Sequence, residues 1–345
     1  MFRFVRWALG SFVVACALLA VATASRAQAP TQSLAAERNV VGPAQCGKCH
    51  KVETLIWQHT HHFASFRSMP RSQKAQEIGQ KMGLSRLREA GTICARCHFT
   101  SGVENGQLQV IAGVSCESCH GPGAGYIKIH SSFSGKTKAT ETAAERAERW
   151  RRAEAAGMIR PSMIYKIAKN CYSCHIVPQE KLVNVGGHAA GSPFEMVSWT
   201  QGEIRHNTWY TNGKSNPVAP LDIRRKMYVI GAAVELGESL RAVGKATQNA
   251  TYAVTMARRA QAAAGRLQAI NNALQLPETK EMMAAVATAH LNLNNGPQLD
   301  AVAGKIDAAA QEFDKKYNGS QLGAIDHMIP GPQYYKGQPY PVGGQ

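Results

Sequence analysis

The chain has 345 residues, 44% apolar and 7% aromatic, with a formal charge of +16. That length allows two modest domains, and so few aromatics leave a core that needs help from some other apolar body. A basic balance suits an acidic partner, but no basic run is interleaved with aromatics, which argues against a nucleic-acid groove.

Residues 1–6 carry Arg3 and Arg6, residues 7–23 are apolar, and Ala27-Gln28-Ala29 offers a small-residue cleavage site. This is the pattern of an export signal, so residues 1–29 are expected to be a leader and the mature chain periplasmic. Pro30 makes cleavage after Ala24 an alternative. An uncleaved membrane anchor facing the periplasm is the other, since the apolar run is barely long enough to span a bilayer. Val13-Val14-Ala15-Cys16 only loosely matches a lipid-attachment box, because the apolar run continues past Cys16.

Residues 30–41 are small and polar and read as a loose start. Residues 53–63 have helix-compatible spacing, and residues 71–90 read as an amphipathic helix. Residues 102–113 read as a turn or short hairpin. Gly121-Pro122-Gly123-Ala124-Gly125 cannot continue a helix; it is either a simple turn or a close backbone approach to a flat ligand. A polar linker over 131–140 precedes a charged helix over 142–156, and Asn170 is positioned as a helix cap. Residues 186–210 read as a loop with two histidines and two tryptophans.

Beyond Pro220 the pattern changes. Tyr252, Met256, Ala260, Ala263, Leu267, Ile270 and Leu274 recur at steps of four and three, and Leu299, Val302, Ile306, Ala309, Phe313 and Tyr317 do the same. With residues 222–246 and 278–293 they make four helices, a bundle or pair of helical hairpins without a cofactor. The Pro/Gly-rich tail over 331–345 is expected to be extended.

Four times the chain reads Cys-x-x-Cys-His: Cys46-Cys49-His50, Cys94-Cys97-His98, Cys116-Cys119-His120 and Cys171-Cys174-His175. This is the attachment signal for c-type haem. Two cysteines three apart on one helical turn face the same ring edge, and the next residue reaches the iron as proximal ligand. The motifs use every cysteine except Cys16. Two other readings compete: Cys94, Cys97, Cys116 and Cys119 have a four-cysteine zinc spacing, and eight cysteines in an exported chain could form four disulfides. Neither explains why each pair has the same gap and is followed by histidine. Four covalently bound haem c groups are therefore expected, and about eight propionate charges would offset much of the basic excess.

Eight histidines lie outside the motifs. His62, His130, His206 and His188 are the candidate distal ligands; His130 is too far round the glycine-rich turn to serve its own iron and suits a neighbouring one. Arg205, beside His206, could meet a propionate bidentately. His59 and His61 read as surface residues or as supports behind a ligand, His327 as exposed, and His290 as a core histidine on a helix face with Met283, Val286 and Leu293. A histidine on each side of the iron fills its coordination sphere and leaves outer-sphere electron transfer.

Residues 114–123, Val-Ser-Cys-Glu-Ser-Cys-His-Gly-Pro-Gly, followed by His130, resemble the tetrahaem cytochrome c-554 type family, typified by the electron acceptor of hydroxylamine oxidoreductase. Trp57 and His62 after the first motif, and Gly187-His188 with Ile204-Arg205-His206 after the fourth, carry the same resemblance, over about residues 44–210. It implies a mostly helical fold with closely stacked haem pairs and periplasmic electron shuttling. It also implies that the second haem, on Cys94, Cys97 and His98, can lack a sixth protein ligand, which His188 would supply here.

The expectation is a mainly α protein: an irregular tetrahaem core over 30–210, a helical domain over 211–330 that docks a partner or caps the haems, and the tail. Its function is electron transfer between protein redox partners, acidic at the docking surface. The alternative is a reductase of a small nitrogen oxide or hydroxylamine at an open iron, which needs a vacant position and proton donors.

Overall fold

A computed structural model describes residues 34–342; the expected leader and Cys16 lie outside the described residues. The chain is mainly helical. Short elements come first: α1 (Leu34–Glu37), α2 (Pro43–Gly47), α3 (Lys51–Gln58), α4 (His61–Ser68), α5 (Gln73–Lys81) and α6 (Ala95–His98) lead into β1 (Phe99–Glu104) and β2 (Gln107–Gly113). Next come α7 (Cys116–His120), α8 (Ile127–His130), α9 (Ala143–Ala155), α10 (Ile164–His175), α11 (Glu180–Asn184) and α12 (Met196–Thr200). Then come α13 (Leu221–Gly244), α14 (Thr251–Leu274), α15 (Pro277–Val286) and α16 (Gly296–Lys316), followed by 3-10 turns at Ser320–Met328 and, within the tail expected to be extended, at Pro332–Tyr334.

The strands pair antiparallel from Phe99↔Gly113 to Glu104↔Gln107, with an irregularity between Thr100 and Ser101. Asn105 and Gly106 turn the chain with φ of 51° and 75°, the positive values that a two-residue hairpin turn demands. The hairpin leads straight out of the second motif and delivers the chain to the third.

Several expectations change. The helix expected over 71–90 survives only as α5, opened by Ser72 Oγ accepting from Ala75 N at 3.4 Å and stopped where Gly83 turns to φ 73°. The start of the chain is not loose throughout, since α1 forms and Val40 is buried. Residues 186–210 contain α12, whose first amides donate to Glu195 at 2.9 and 2.7 Å, the bonding of a helix N-cap. Asn170 caps nothing, for it sits inside α10, and its Nδ2 donates to the Cys119 carbonyl at 2.9 Å. α15 ends at Val286, so the apolar face that would have buried His290 does not reach it and His290 is exposed.

α13 is the centre of the molecule. It packs against α10, α14 and α16, with α15 against α14 and α16, and its residues from Val229 to Leu240 are buried all round. A helix covered on every side should be apolar throughout, yet α13 buries Glu235 and Glu238. Both are paired: Glu238 with Lys169 and with Arg241 at 3.0 Å, Glu235 with Arg259 at 2.9 Å and Arg266 at 2.8 Å. Removing one partner from such a pair leaves a buried charge uncompensated, which costs more than the pair contributes.

The apolar core does not stop at residue 210. Ile164, Ala168 and Tyr172, one face of α10, join Phe194 and Met196 in a single cluster with α13, α14 and α16. Leu267 of α14 is fully buried in that cluster, so Leu267→Ala should destabilise the chain by about 2–5 kcal/mol through lost transfer energy and the cavity left behind. A urea-melt midpoint unchanged from the parent would contradict this packing.

Candidate functional site

Each motif is placed by a different local device. Cys46 lies in α2, with His50 just before α3. The second motif forms α6 and the third α7, where Ser115 N donates to Ser118 Oγ at 3.2 Å in a capping box. Thr100 Oγ1 bonds Ser115 Oγ and Ser118 Oγ at 3.0 Å and the Gly113 carbonyl at 2.8 Å, so β1 fixes the start of the third motif. Trp57 Nε1 donates to the Val114 carbonyl at 2.8 Å and joins the helix after the first motif to the same point. The fourth motif ends α10 and is tied to the third by Asn170.

Glu117, inside the third motif, was not singled out from sequence. It is 1% exposed, and its carboxylate accepts from the amides of Val41 at 2.9 Å, Gly42 at 2.7 Å and Gly123 at 2.6 Å. The signal was a carboxylate between two motif cysteines beside a glycine-rich turn. That turn proves to be packed against backbone: at Gly121, φ 82°, an added Cβ would stand 2.3 Å from the Gly157 carbonyl oxygen.

Four histidine pairs form, each joining one motif histidine to one histidine from elsewhere. His50 faces His130 with ring centroids 6.3 Å apart, His175 faces His62 at 6.4 Å, His98 faces His188 at 6.2 Å and His120 faces His206 at 6.1 Å. The interplanar angles run from 9° for the first pair to 90° for the last. A metal–imidazole bond is about 2 Å long and a ring centroid sits about 1 Å behind its ligating nitrogen, so two imidazoles on opposite sides of one ion stand about 6 Å apart. The donor set and spacing fit a haem iron between each pair.

Hydrogen bonds at Nδ1 aim the opposite nitrogen, the usual way a ligating histidine is oriented. His120 Nδ1 donates to the Ile159 carbonyl at 2.8 Å, His206 to Ile204 at 2.7 Å, His188 to Ala189 at 2.8 Å and His130 to Tyr126 at 3.2 Å. His175 Nδ1 lies 2.7 Å from Ser192 Oγ. Further groups hold the backbone. Ser65 Oγ donates to the carbonyls of both His62 and His98, at 2.8 and 2.9 Å. Arg149, buried and bidentate to Glu141 at 2.6 and 2.8 Å, also donates to the His130 carbonyl.

Burial holds His98, His120 and His175 neutral, each lowered to about 4 with a facing histidine adding to the effect. His62 and His130 are lowered for the same first reason. Neutral imidazole is the form that ligates a metal. His50 differs: its bond to Glu53 raises it, while Glu53 falls to about 2.

None of the eight described cysteines forms a disulfide. Their interactions run between motifs, Cys46 with Cys116 and Cys97 with Cys174, each raising the first thiol and lowering the second. Cys119 and Cys171 are both pushed up by burial, and each feels the other motif's sulfur. Among the described residues, no cluster of three or more His, Cys, Asp or Glu side chains could hold a metal ion, so the zinc spacing closes no site. Two buried cationic atoms, Arg205 Nε and Arg259 Nη2, have no hydrogen-bond partner, which is what an anionic group such as a propionate would satisfy. His59 is exposed and stacks on Tyr340 of the tail at 3.9 Å. His61 bonds Glu203 at 2.6 Å, and His327 is exposed.

Paired thiols followed by an imidazole, on a mainly helical chain, are the donor set of a c-type cytochrome. Residues 45–121, holding the first three motifs, match the family described as cytochrome c554 and c-prime. The chain is 31% identical over 126 residues to cytochrome c-554 of Nitrosomonas europaea, covering 34% of this chain and 52% of that protein. The chain thus spans about half the length of that curated relative. No solved structure matches it.

Glu117→Gln, which removes one acceptor from a buried three-amide contact, should cost about 1–3 kcal/mol. It should also free the segment around Val41 to limited proteolysis. A digestion pattern identical to the parent's would show that the carboxylate does not hold that segment.

Proposed function

We propose that this chain is a periplasmic tetrahaem electron carrier, with haem bound covalently at Cys46 and Cys49, Cys94 and Cys97, Cys116 and Cys119, and Cys171 and Cys174. The observation that carries this reading is the set of four facing histidine pairs at one common spacing. His50, His98, His120 and His175 serve as proximal ligands, and His130, His188, His206 and His62 respectively as distal ones. When bound, haem supplies reversible one-electron chemistry, with low potentials expected for iron ligated by two histidines.

What the chain supplies is spacing, insulation and charge. The sulfur interactions order the motifs as first, third, fourth and second, which supports one conducting row with the first and second motifs at its ends. Arg149, Ser65 and Asn170 hold neighbouring motifs and ligands at fixed separations. The formal excess of basic residues favours an acidic docking surface on the protein partners, giving weak encounters that salt weakens further. Export rests on the leader pattern over residues 1–29; no described helix is long and apolar enough to cross a membrane.

Reduction of a small nitrogen oxide or hydroxylamine would need an open iron, and the family resemblance points to the second motif. There His188 stands opposite His98, which favours the carrier over the reductase.

Intact mass of the exported protein should exceed the processed polypeptide by four haems, and its ferric electron paramagnetic resonance spectrum should contain low-spin signals only. A high-spin signal that changes on adding nitric oxide would replace the carrier with the reductase. His188→Ala should convert one of the four irons to high spin, whereas an unchanged spectrum would remove His188 from the ligand set.

A further inference from the structure

The helices beyond residue 220 reach the fourth motif through one arginine. From α14, Arg259 Nη1 donates to the carbonyl oxygens of Ser192 at 2.7 Å and His175 at 3.2 Å. Ser192 in turn bonds His175 twice: its Oγ lies 2.7 Å from the ring Nδ1, where it would accept once the opposite nitrogen holds a metal, and its amide donates to the His175 carbonyl at 3.0 Å. Behind the arginine, Nε donates to Glu235 Oε1 of α13 at 2.9 Å, and the other Glu235 oxygen accepts from Arg266 at 2.8 Å. The Arg259 and Glu235 side chains are only 12% and 6% exposed. Gly191, φ 84°, makes room for the guanidinium, since a Cβ there would stand 2.7 Å from Nη1. Phe194 stacks on the His175 ring at 4.4 Å and shields this side of it from water. Among the described residues, no other motif histidine hydrogen-bonds to a group that the helices beyond residue 220 hold in this way.

We infer that the helical half of the chain sets the reduction potential of the fourth site, with Arg259 and Glu235 acting as positioning residues through Ser192 and His175. This rests on the tetrahaem reading. The couple is one electron: ferric iron gains it from the donor or electrode and becomes ferrous, with no proton or bond change required. Ferric iron carries the extra positive charge, so a buried guanidinium nearby disfavours it and raises the potential, while a buried carboxylate does the opposite. Both charges lie away from water, where screening is weak. The His175–Ser192 hydrogen bond adds a second effect, because an acceptor at Nδ1 makes the imidazole a better donor to the metal. The helices that carry no motif thereby acquire a role that a simple cap over the other half would not have.

The test is a spectroelectrochemical titration of the full, haem-loaded protein, with haem counted in each sample. Arg259→Met should lower the potential of one site out of four, changing its ferric-to-ferrous ratio about tenfold at fixed applied potential, which is about 59 mV for one electron. Glu235→Gln should move the same site upward, and Arg259→Lys should restore most of the parent value. Ser192→Ala, which leaves the buried charges in place, should raise that site's potential and covers the case in which the charge variants do not assemble. Four haems with all potentials unchanged in Ser192→Ala and the charge variants would overturn the inference. So would shifts of the same sign in Arg259→Met and Glu235→Gln. Fewer than four haems in the parent protein would instead overturn the tetrahaem reading on which it rests.

Discussion

Two imidazoles held about 6 Å apart across a gap, with their free nitrogens turned toward each other, are costly to arrange without something between them. Neither ring donates to the other, and most of these rings also lose water; His50, exposed and held by Glu53, is the exception. In this chain the arrangement occurs four times, between segments that lie far apart in sequence, and most of the short helices before residue 210 serve to hold one of these rings. The hydrogen bonds at Nδ1, the carbonyl bonds from Ser65 and Arg149, and the hairpin between the second and third motifs all act on the same requirement. The neutral, low-pKa histidines follow from it as well, because burial that excludes water also disfavours the charged ring.

Three of the polar groups that hold this region, Glu117, Arg149 and Thr100, are themselves buried and matched. Glu117 meets three amides, Arg149 meets a carboxylate and a carbonyl, and Thr100 meets two hydroxyls and a carbonyl. In a low-dielectric interior an unmatched partner costs more than the matched pair contributes, so such networks specify one arrangement of the chain rather than merely favouring compactness. The two buried cationic atoms left unmatched, on Arg205 and Arg259, lie one beside His206 and one beside His175.

The helical half is joined to the motif half by packing and by charge. α10 carries the fourth motif at its end and an apolar face along its length, so the site and the core share one helix. α13 carries Glu235 toward α14, where Arg259 and Arg266 meet it, and Glu238 toward α10, where Lys169 meets it beside Arg241 of α13 itself. A rearrangement at the fourth site would therefore have to move the most completely buried helix in the molecule.

How much of this could be read from residues alone depends on how local the determining interaction is. The motif spacing is set within five residues, and the periodicity of α14 and α16 within a few turns, so both were legible. Helix ends were less so: α5 and α15 stop early because Gly83 and the turn after Val286 break a face that the apolar pattern alone continues, and His290 is exposed as a result. Asn170 looked like a cap because its residue type favours caps; its actual partner, the Cys119 carbonyl, is a long-range contact that no local rule contains. Glu117 stood beside a glycine-rich turn, but its partners could not be read for the same reason, its three amides coming from two separate segments.

From the sequence alone came the chemistry available to the chain: eight thiols in four identical pairs, four adjoining imidazoles, and four further histidines worth weighing as their opposites. Which imidazole stands against which was decided only by the tertiary structure. His130 is brought to His50, His62 to His175, His188 to His98 and His206 to His120 by contacts between elements far apart in the chain. The physical reason is range. Covalent spacing fixes groups a few residues apart, whereas the distance between two distant rings is the sum of every packed helix and buried hydrogen bond between them.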